Sequence, residues 1–236
     1  MQGGFFSYAM LAVLAIGLLF AAYTDLQRRQ IDNWLTGAIA LCAPLFWFAI
    51  GLSVTEIGYQ IALALTVFIA TAVLFALRQM GGGDVKLLAA LALWIAPFAF
   101  MKLLIMMGLV GGAASIAGAA FNIQRRDGER LRDAIGAFGA FVWVGLCAGV
   151  IFSFLSGQPM ISPHTLASVA PFLPDTWIVV GACLVLAALV IFGIFHIVQR
   201  QKDRLQIPYG VAISIAGIWI IANLYLPALQ QSNSIG

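Results

Sequence analysis

Two carboxylates stand where an apolar sequence can least easily hold them. Asp25 closes the first hydrophobic run, and Asp84 ends the stretch Gly81-Gly82-Gly83-Asp84 at the start of another. Ionised groups at a membrane boundary are costly, so acids placed there point to chemistry. Two carboxylates sharing one site cannot both ionise easily, because each pushes the other's pKa upward. Such a pair holds a single proton. The ionised member takes a proton from water, while the protonated one polarises a carbonyl and later helps an amine leave, which amounts to peptide hydrolysis. The three glycines remove bulk and permit unusual backbone angles, so an extended peptide can come close to Asp84. A first-turn position at the head of a helix would favour its anion. Gly-Gly-Gly-Asp alone reads equally well as a turn with a capping acid; the matching position of Asp25 is what favours chemistry.

The elements that must position these acids are membrane helices. With 63% hydrophobic and 9% charged residues in 236, the chain is too apolar for a soluble domain. A helix needs about 20 apolar residues to cross about 30 Å of hydrocarbon, and runs of that kind lie near 5–23, 35–53, 57–77, 134–156, 177–198 and 209–227. The segment Leu87–Phe121 is too long for one crossing and is divided near Pro97 into a short span and a longer one. The expected fold is therefore all-α, a polytopic membrane protein of about eight spans with both termini extracytoplasmic. The first run lacks the positive flank of a signal peptide and is read as a retained span.

Charge distribution agrees with that division. The loops at 25–33, 78–86, 122–133 and 199–207 hold 11 of the 12 Lys and Arg residues, all but Lys102, and are placed in the cytoplasm. Both acids then lie at one depth on the cytoplasmic side. The net charge of +3 fits this topology and contact with anionic lipid, with no nucleic-acid signal.

The remaining polar and small residues read as structure. Cys42, Cys147 and Cys183 each lie alone in an apolar run, so neither a zinc pattern nor a disulfide framework arises. The Gly108-xxx-Gly112 and Gly145-xxx-Gly149 spacings read as helix-packing faces. Lys86 lies about 200° round a helix from Asp84 and is expected to snorkel to the headgroups. His164 reads as an exposed loop residue and His196 as a hydrogen-bonded interfacial one. Asp32 reads as a solvated charge or a partner of Arg28 or Arg29.

The stretch Thr24-Asp25-Leu26-Gln27-Arg28-Arg29-Gln30-Ile31-Asp32-Asn33-Trp34-Leu35-Thr36, with Gly81-Gly82-Gly83-Asp84-Val85-Lys86-Leu87-Leu88, resembles the two signatures of the prepilin peptidases. These are GxGD-type intramembrane aspartic peptidases, and the resemblance covers about residues 11–120. It implies that Asp25 and Asp84 are the catalytic dyad and that Gly81 and Gly83 are the motif glycines, with Lys86 and Asn33 as substrate-binding or site-supporting residues. It also implies a pilin-like precursor as substrate, cut after its short basic leader at the cytoplasmic face of a bacterial inner membrane. No cofactor and no metal is expected, and pilus assembly machinery is a possible partner. Without a tetracysteine insert the chain looks closest to the tight-adherence pilus type, which cleaves but does not N-methylate. Ile207-Pro208-Tyr209-Gly210-Val211-Ala212-Ile213 is similar to a segment of that branch and reads as a structural turn into the last span. Where family members often have Ile-Pro-Asn, this chain has Ile31-Asp32-Asn33, a third carboxylate near the site. The expected organisation is a peptidase core over 1–121 and a C-terminal membrane region over 122–236. The alternatives are a transporter, whose acids would usually lie near the midplane, and a non-catalytic pilus or secretion assembly protein.

Overall fold

In a computed structural model, residues 4–123, 129–172, 175–200 and 208–228 are described, and their regular structure is helical. The order is α1 (Phe5–Arg28), α2 (Asn33–Ile50), α3 (Val54–Ala76), α4 (Gly82–Ala92), α5 (Pro97–Phe121), α6 (Arg130–Ser156), α7 (Pro163–Val169), α8 (Thr176–Gln199) and α9 (Tyr209–Ile220), which runs on through a π turn at Ile221–Tyr225. Among the described residues seven helices are long and apolar enough to cross a membrane. The chain is thus a multi-pass membrane protein by length and composition. α4 is the short element expected before Pro97; its 11 residues rise only about 16 Å.

The chain forms two compact units, Met1–Gly108 with Pro208–Gly236, and Leu109–Ile207. The division read from the sequence is set at 121. Helix α9 packs on α1 and α4, and such a return of the chain leaves no local trace in composition.

In the first unit, α1 packs on α2 and α9, and α4 packs on α2, α3 and α9. The buried residues of α1 run Leu11, Leu14, Leu18, Ala21, Asp25, a spacing of three and four that marks one helix face. On α4 the same spacing joins Asp84 to Leu87, Leu88 and Leu91. Each acid therefore continues an apolar stripe that the core must bury. Local signals bound the helices. Ser53 and Glu56 form a capping box at the start of α3, and α2 ends at Gly51 in the left-handed region (φ 68°), where glycine carries no steric penalty. The non-helical residues between α4 and α5 are buried at Trp94 and Ile95, so their backbone polar groups need partners. Side chains supply them: Trp47 donates to the Leu93 carbonyl (2.7 Å), and Tyr225 donates to the Trp94 carbonyl (3.2 Å) and accepts from the Ala96 N–H (2.8 Å).

The second unit is held by α6 against α8. Their backbones approach at Gly136, Gly139 and Gly193, where a Cβ on Gly139 would lie 3.2 Å from the Gly193 Cα. The spacings singled out from sequence are used in half: a Cβ at Gly108 or Gly145 would meet nothing within 4 Å, whereas one at Gly112 would lie 4.0 Å from Trp143 Nε1 and one at Gly149 2.7 Å from Met160 Cε. Ala119, Ala140 and Ile197 form a small buried cluster in this unit. His196 shares a 3.0 Å hydrogen bond with Asp133, and Arg200 is ion-paired with Glu129. His164 is exposed, as read from sequence. Arg125, Arg126, Asp127, Lys202, Asp203, Arg204 and Ile207 lie outside the described residues.

Candidate active site

Asp25 sits in the last turn of α1, and Asp84 in the first turn of α4. Their residues are 6% and 9% exposed, which is unusual for carboxylates without a cationic partner. Both line one cavity of about 370 Å³, shared with Arg29, Gln30, Asp32, Asn33 and the three glycines. The structure thus brings together the two acids that local sequence keeps far apart.

The glycines are explained by space. None of the three has a left-handed backbone, so the unusual angles expected of them are not used. A Cβ on Gly81 would lie 2.9 Å from Asp84 Oδ2, and one on Gly83 would lie 3.1 Å from the Ile31 Cβ. Real Cβ atoms essentially never come as close as the first of these, and the second is tighter than nine in ten real contacts. Gly81 keeps room beside the carboxylate, and Gly83 lets α4 touch the loop between α1 and α2.

Asp25 is held by an element read from sequence only as a turn. Pro208 caps α9, and the first-turn backbone N–H groups of Gly210 and Val211 face the Asp25 carboxylate. Val211 also donates to the Pro208 carbonyl at 3.2 Å, so its N–H is shared, whereas the Gly210 N–H is a first-turn donor that the helix leaves over. The approach depends on Gly210, whose Cβ would lie 2.7 Å from Asp25 Oδ2 and 2.7 Å from Ile31 Cδ1. Gly210 is the site residue that sequence reasoning missed. Its signal was the Pro-Tyr-Gly run at a helix start, which carries no mark of the acid it meets. Asp25 Oδ2 itself is buried with no hydrogen-bond partner and belongs to a residue lining the cavity.

Asp84 feels opposing influences. Burial is the largest and the Asp25 charge the next, both favouring the neutral acid; the Gly81 backbone N–H favours the anion. Burial wins over the first-turn position, and the carboxyl is pushed up to about 6.

Lys86 is exposed but not merely extended to solvent, because its Nζ donates to Asn33 Oδ1 at 2.7 Å. Asn33, the first residue of α2, lines the aspartate cavity. Asp32 is the N-cap of α2, yet its side chain makes no capping bond. The ion pairs among the described residues are those of Asp133 and Glu129, so the expected pairing of Asp32 with Arg28 or Arg29 is not seen. Asp32 lines the aspartate cavity instead. Among the described residues no three His, Cys, Asp or Glu side chains are grouped to hold a metal. A pair of carboxylates that shares one proton can activate water without one.

No curated protein and no solved structure matches the chain. Residues 12–116 match the model of the type IV leader peptidase family. The matched stretch contains Asp25, Asn33, Gly81, Gly83, Asp84 and Lys86, and it ends before α6. The match covers 105 of the 236 residues, a likeness to that family over the stretch that holds both buried acids and the glycines beside them.

Proposed function

We propose that the chain is an intramembrane aspartic endopeptidase that removes the short basic leader from pilin-like precursors at the cytoplasmic face of a bacterial inner membrane. The observation that carries this reading is the pairing of two buried carboxylates in one glycine-walled cavity. Asp25 is the base. Its carboxylate faces the helix-start amides of α9, and Oδ2, which has no hydrogen-bond partner, takes a proton from water. Asp84 is the acid, hydrogen-bonding the scissile carbonyl oxygen. The water oxygen bonds to the carbonyl carbon, and the proton on Asp84 then passes to the leaving nitrogen as the C–N bond breaks. One water is consumed, a carboxylic acid and an amine are released, and transfer of the proton from Asp25 back to Asp84 restores the pair.

The leader's positive charge suits the site. Three carboxylates, Asp25, Asp32 and Asp84, face one guanidinium, Arg29, around the cavity, so the site attracts cations. We place the peptidase core at 1–121, completed by α9, and take α4 and α5 as a hairpin. That gives about eight spans with both termini outside and the basic loops in the cytoplasm. The enzyme is of the cleaving type without N-methylation, serves pilus or secretion assembly, and uses no metal.

Co-expression with candidate pilin-like precursors, followed by mobility shift and N-terminal sequencing, tests the reading. Wild type should expose a new terminus before the apolar helix, and EDTA should leave the reaction intact. Asp25→Asn and Asp84→Asn should both abolish it at unchanged membrane levels. Processing that survives in either variant removes the dyad and favours a transporter or an assembly protein.

A further inference from the structure

Helix α4 has a second face that the dyad does not use. Lys86, Ala89 and Leu93 turn toward a groove of about 650 Å³ whose other walls are α2 and α3. Gly37 and Ala64 lie on those walls, and small residues of this kind let a further helix approach closely in lipid. Asn33 lines both this groove and the aspartate cavity, and it accepts the Lys86 hydrogen bond. The groove therefore starts where the aspartate cavity ends. By contrast, the apolar cavity of about 330 Å³ between α1 and α2 shares no residue with the aspartate cavity.

We propose that this groove receives the apolar helix of the precursor while the adjoining peptide bond lies between Asp25 and Asp84. The proposal rests on the peptidase reading above. A chain whose scissile bond reaches Asp84 has to continue past Asn33, and in this substrate class the continuing segment is apolar. From Lys86 to Leu93 the groove runs about 10 Å along α4, room for about two turns of an incoming helix. Lipid chains fill such a surface at rest. A helix replaces them without losing apolar contact and gains close packing against the small residues.

Gly37 makes the test clean. A Cβ there would meet nothing within 4 Å, so Gly37→Leu adds bulk at the groove without a clash at its Cβ and favours the helix. Gly58, on α3 outside the groove, is equally open, and Gly58→Leu is the control. Purified enzyme is given the full precursor or a soluble peptide that spans the scissile bond and stops before the apolar helix. In Gly37→Leu, kcat/KM for the precursor relative to the peptide should fall at least about tenfold, mainly through KM, whereas Gly58→Leu should keep the wild-type ratio. An unchanged ratio in Gly37→Leu means lipid or a second copy occupies the groove and overturns the proposal. If Gly37→Leu cuts neither substrate, docking is read directly with Ala89→Cys in an Asp84→Asn chain lacking the native cysteines. A disulfide to a cysteine in the precursor helix is expected, and its absence overturns the proposal. Asp84→Asn that still cuts either substrate sinks the peptidase reading instead, whatever the ratio.

Discussion

The two units treat their acids in opposite ways. In Leu109–Ile207, Asp133 is hydrogen-bonded to His196 and Glu129 is ion-paired with Arg200. In the unit that holds the N-terminal helices, Asp25 and Asp84 are more deeply buried and have no ion pair. A buried acid beside a base adds to structure, whereas an acid buried beside another acid is left with an unsettled proton. The glycines differ in the same sense. Gly136, Gly139 and Gly193 let α6 meet α8, while Gly81 and Gly210 keep space beside the carboxylates.

Exchanging acids for amides gives the largest test of this contrast. Asp25→Asn and Asp84→Asn should each lower processing by more than about a thousandfold, the scale seen when a group essential to the chemistry is removed. Asp133→Asn should leave processing within about threefold, yet cost about 1–2 kcal/mol of stability as His196 loses its partner. Thermal unfolding in detergent beside a processing assay reads both quantities. An inactive but stable Asp133→Asn would erase the distinction between the units.

Alanine at the glycines comes next. Gly210→Ala should cost about a hundredfold in kcat, because displacing Asp25 by a fraction of an ångström spoils its aim. Its pH profile should move as the α9 amides draw away from the carboxylate. Gly193→Ala meets the Ile135 carbonyl at 3.0 Å and should show the overpacking cost of about 1–3 kcal/mol with an unshifted pH profile. Equal loss of stability and activity in both variants would break the comparison.

What the sequence made legible follows from which forces are local. Asp25 and Asp84 stood out because charge is rare in apolar runs, and the break near Pro97 was visible because proline cannot donate to a continuing helix. The stripe from Leu11 to Asp25 follows helical periodicity. Gly210 was not legible, since its neighbour Asp25 lies on the first helix and no local pattern records that contact. The joining of α9 to the first unit escaped for the same reason. Glycine spacing announces that backbones can approach without saying which do: Gly136, Gly139 and Gly193 pack, while Gly108 and Gly145 do not. The three glycines before Asp84 suggested conformational freedom, but the structure uses their lack of bulk.

The pH dependence sharpens the roles within the first unit. Asp84, raised to about 6, is the proton donor, so activity should fall as pH rises through about 6, approaching tenfold per unit beyond it. Asp32→Asn removes one of the cavity's three carboxylates without touching the dyad; it should weaken KM for a basic leader about two- to fivefold and leave that limb in kcat near its place. Profiles of kcat and kcat/KM for wild type and variant decide this, and a limb that rises through pH 6 would exchange the roles of the two aspartates.

The smallest effect is also the least expected of a presumed active-site lesion. Because the folded pKa of Asp84 lies above the ordinary value of 3.8, the folded state holds the extra proton between those two values, and wild-type stability falls as pH rises across that window. Asp84→Asn has no such proton to lose. Above pH 6 it should be more stable than wild type by up to about 3 kcal/mol, from about two units at 1.36 kcal/mol each, and the advantage should vanish below about pH 4. Asp133→Asn should be less stable than wild type at neutral pH, because its partner is left behind. Melting curves of both variants at pH 4 and pH 7.5 therefore separate an acid kept for chemistry from one kept for structure, and a destabilised Asp84→Asn at pH 7.5 would place both acids in the second class.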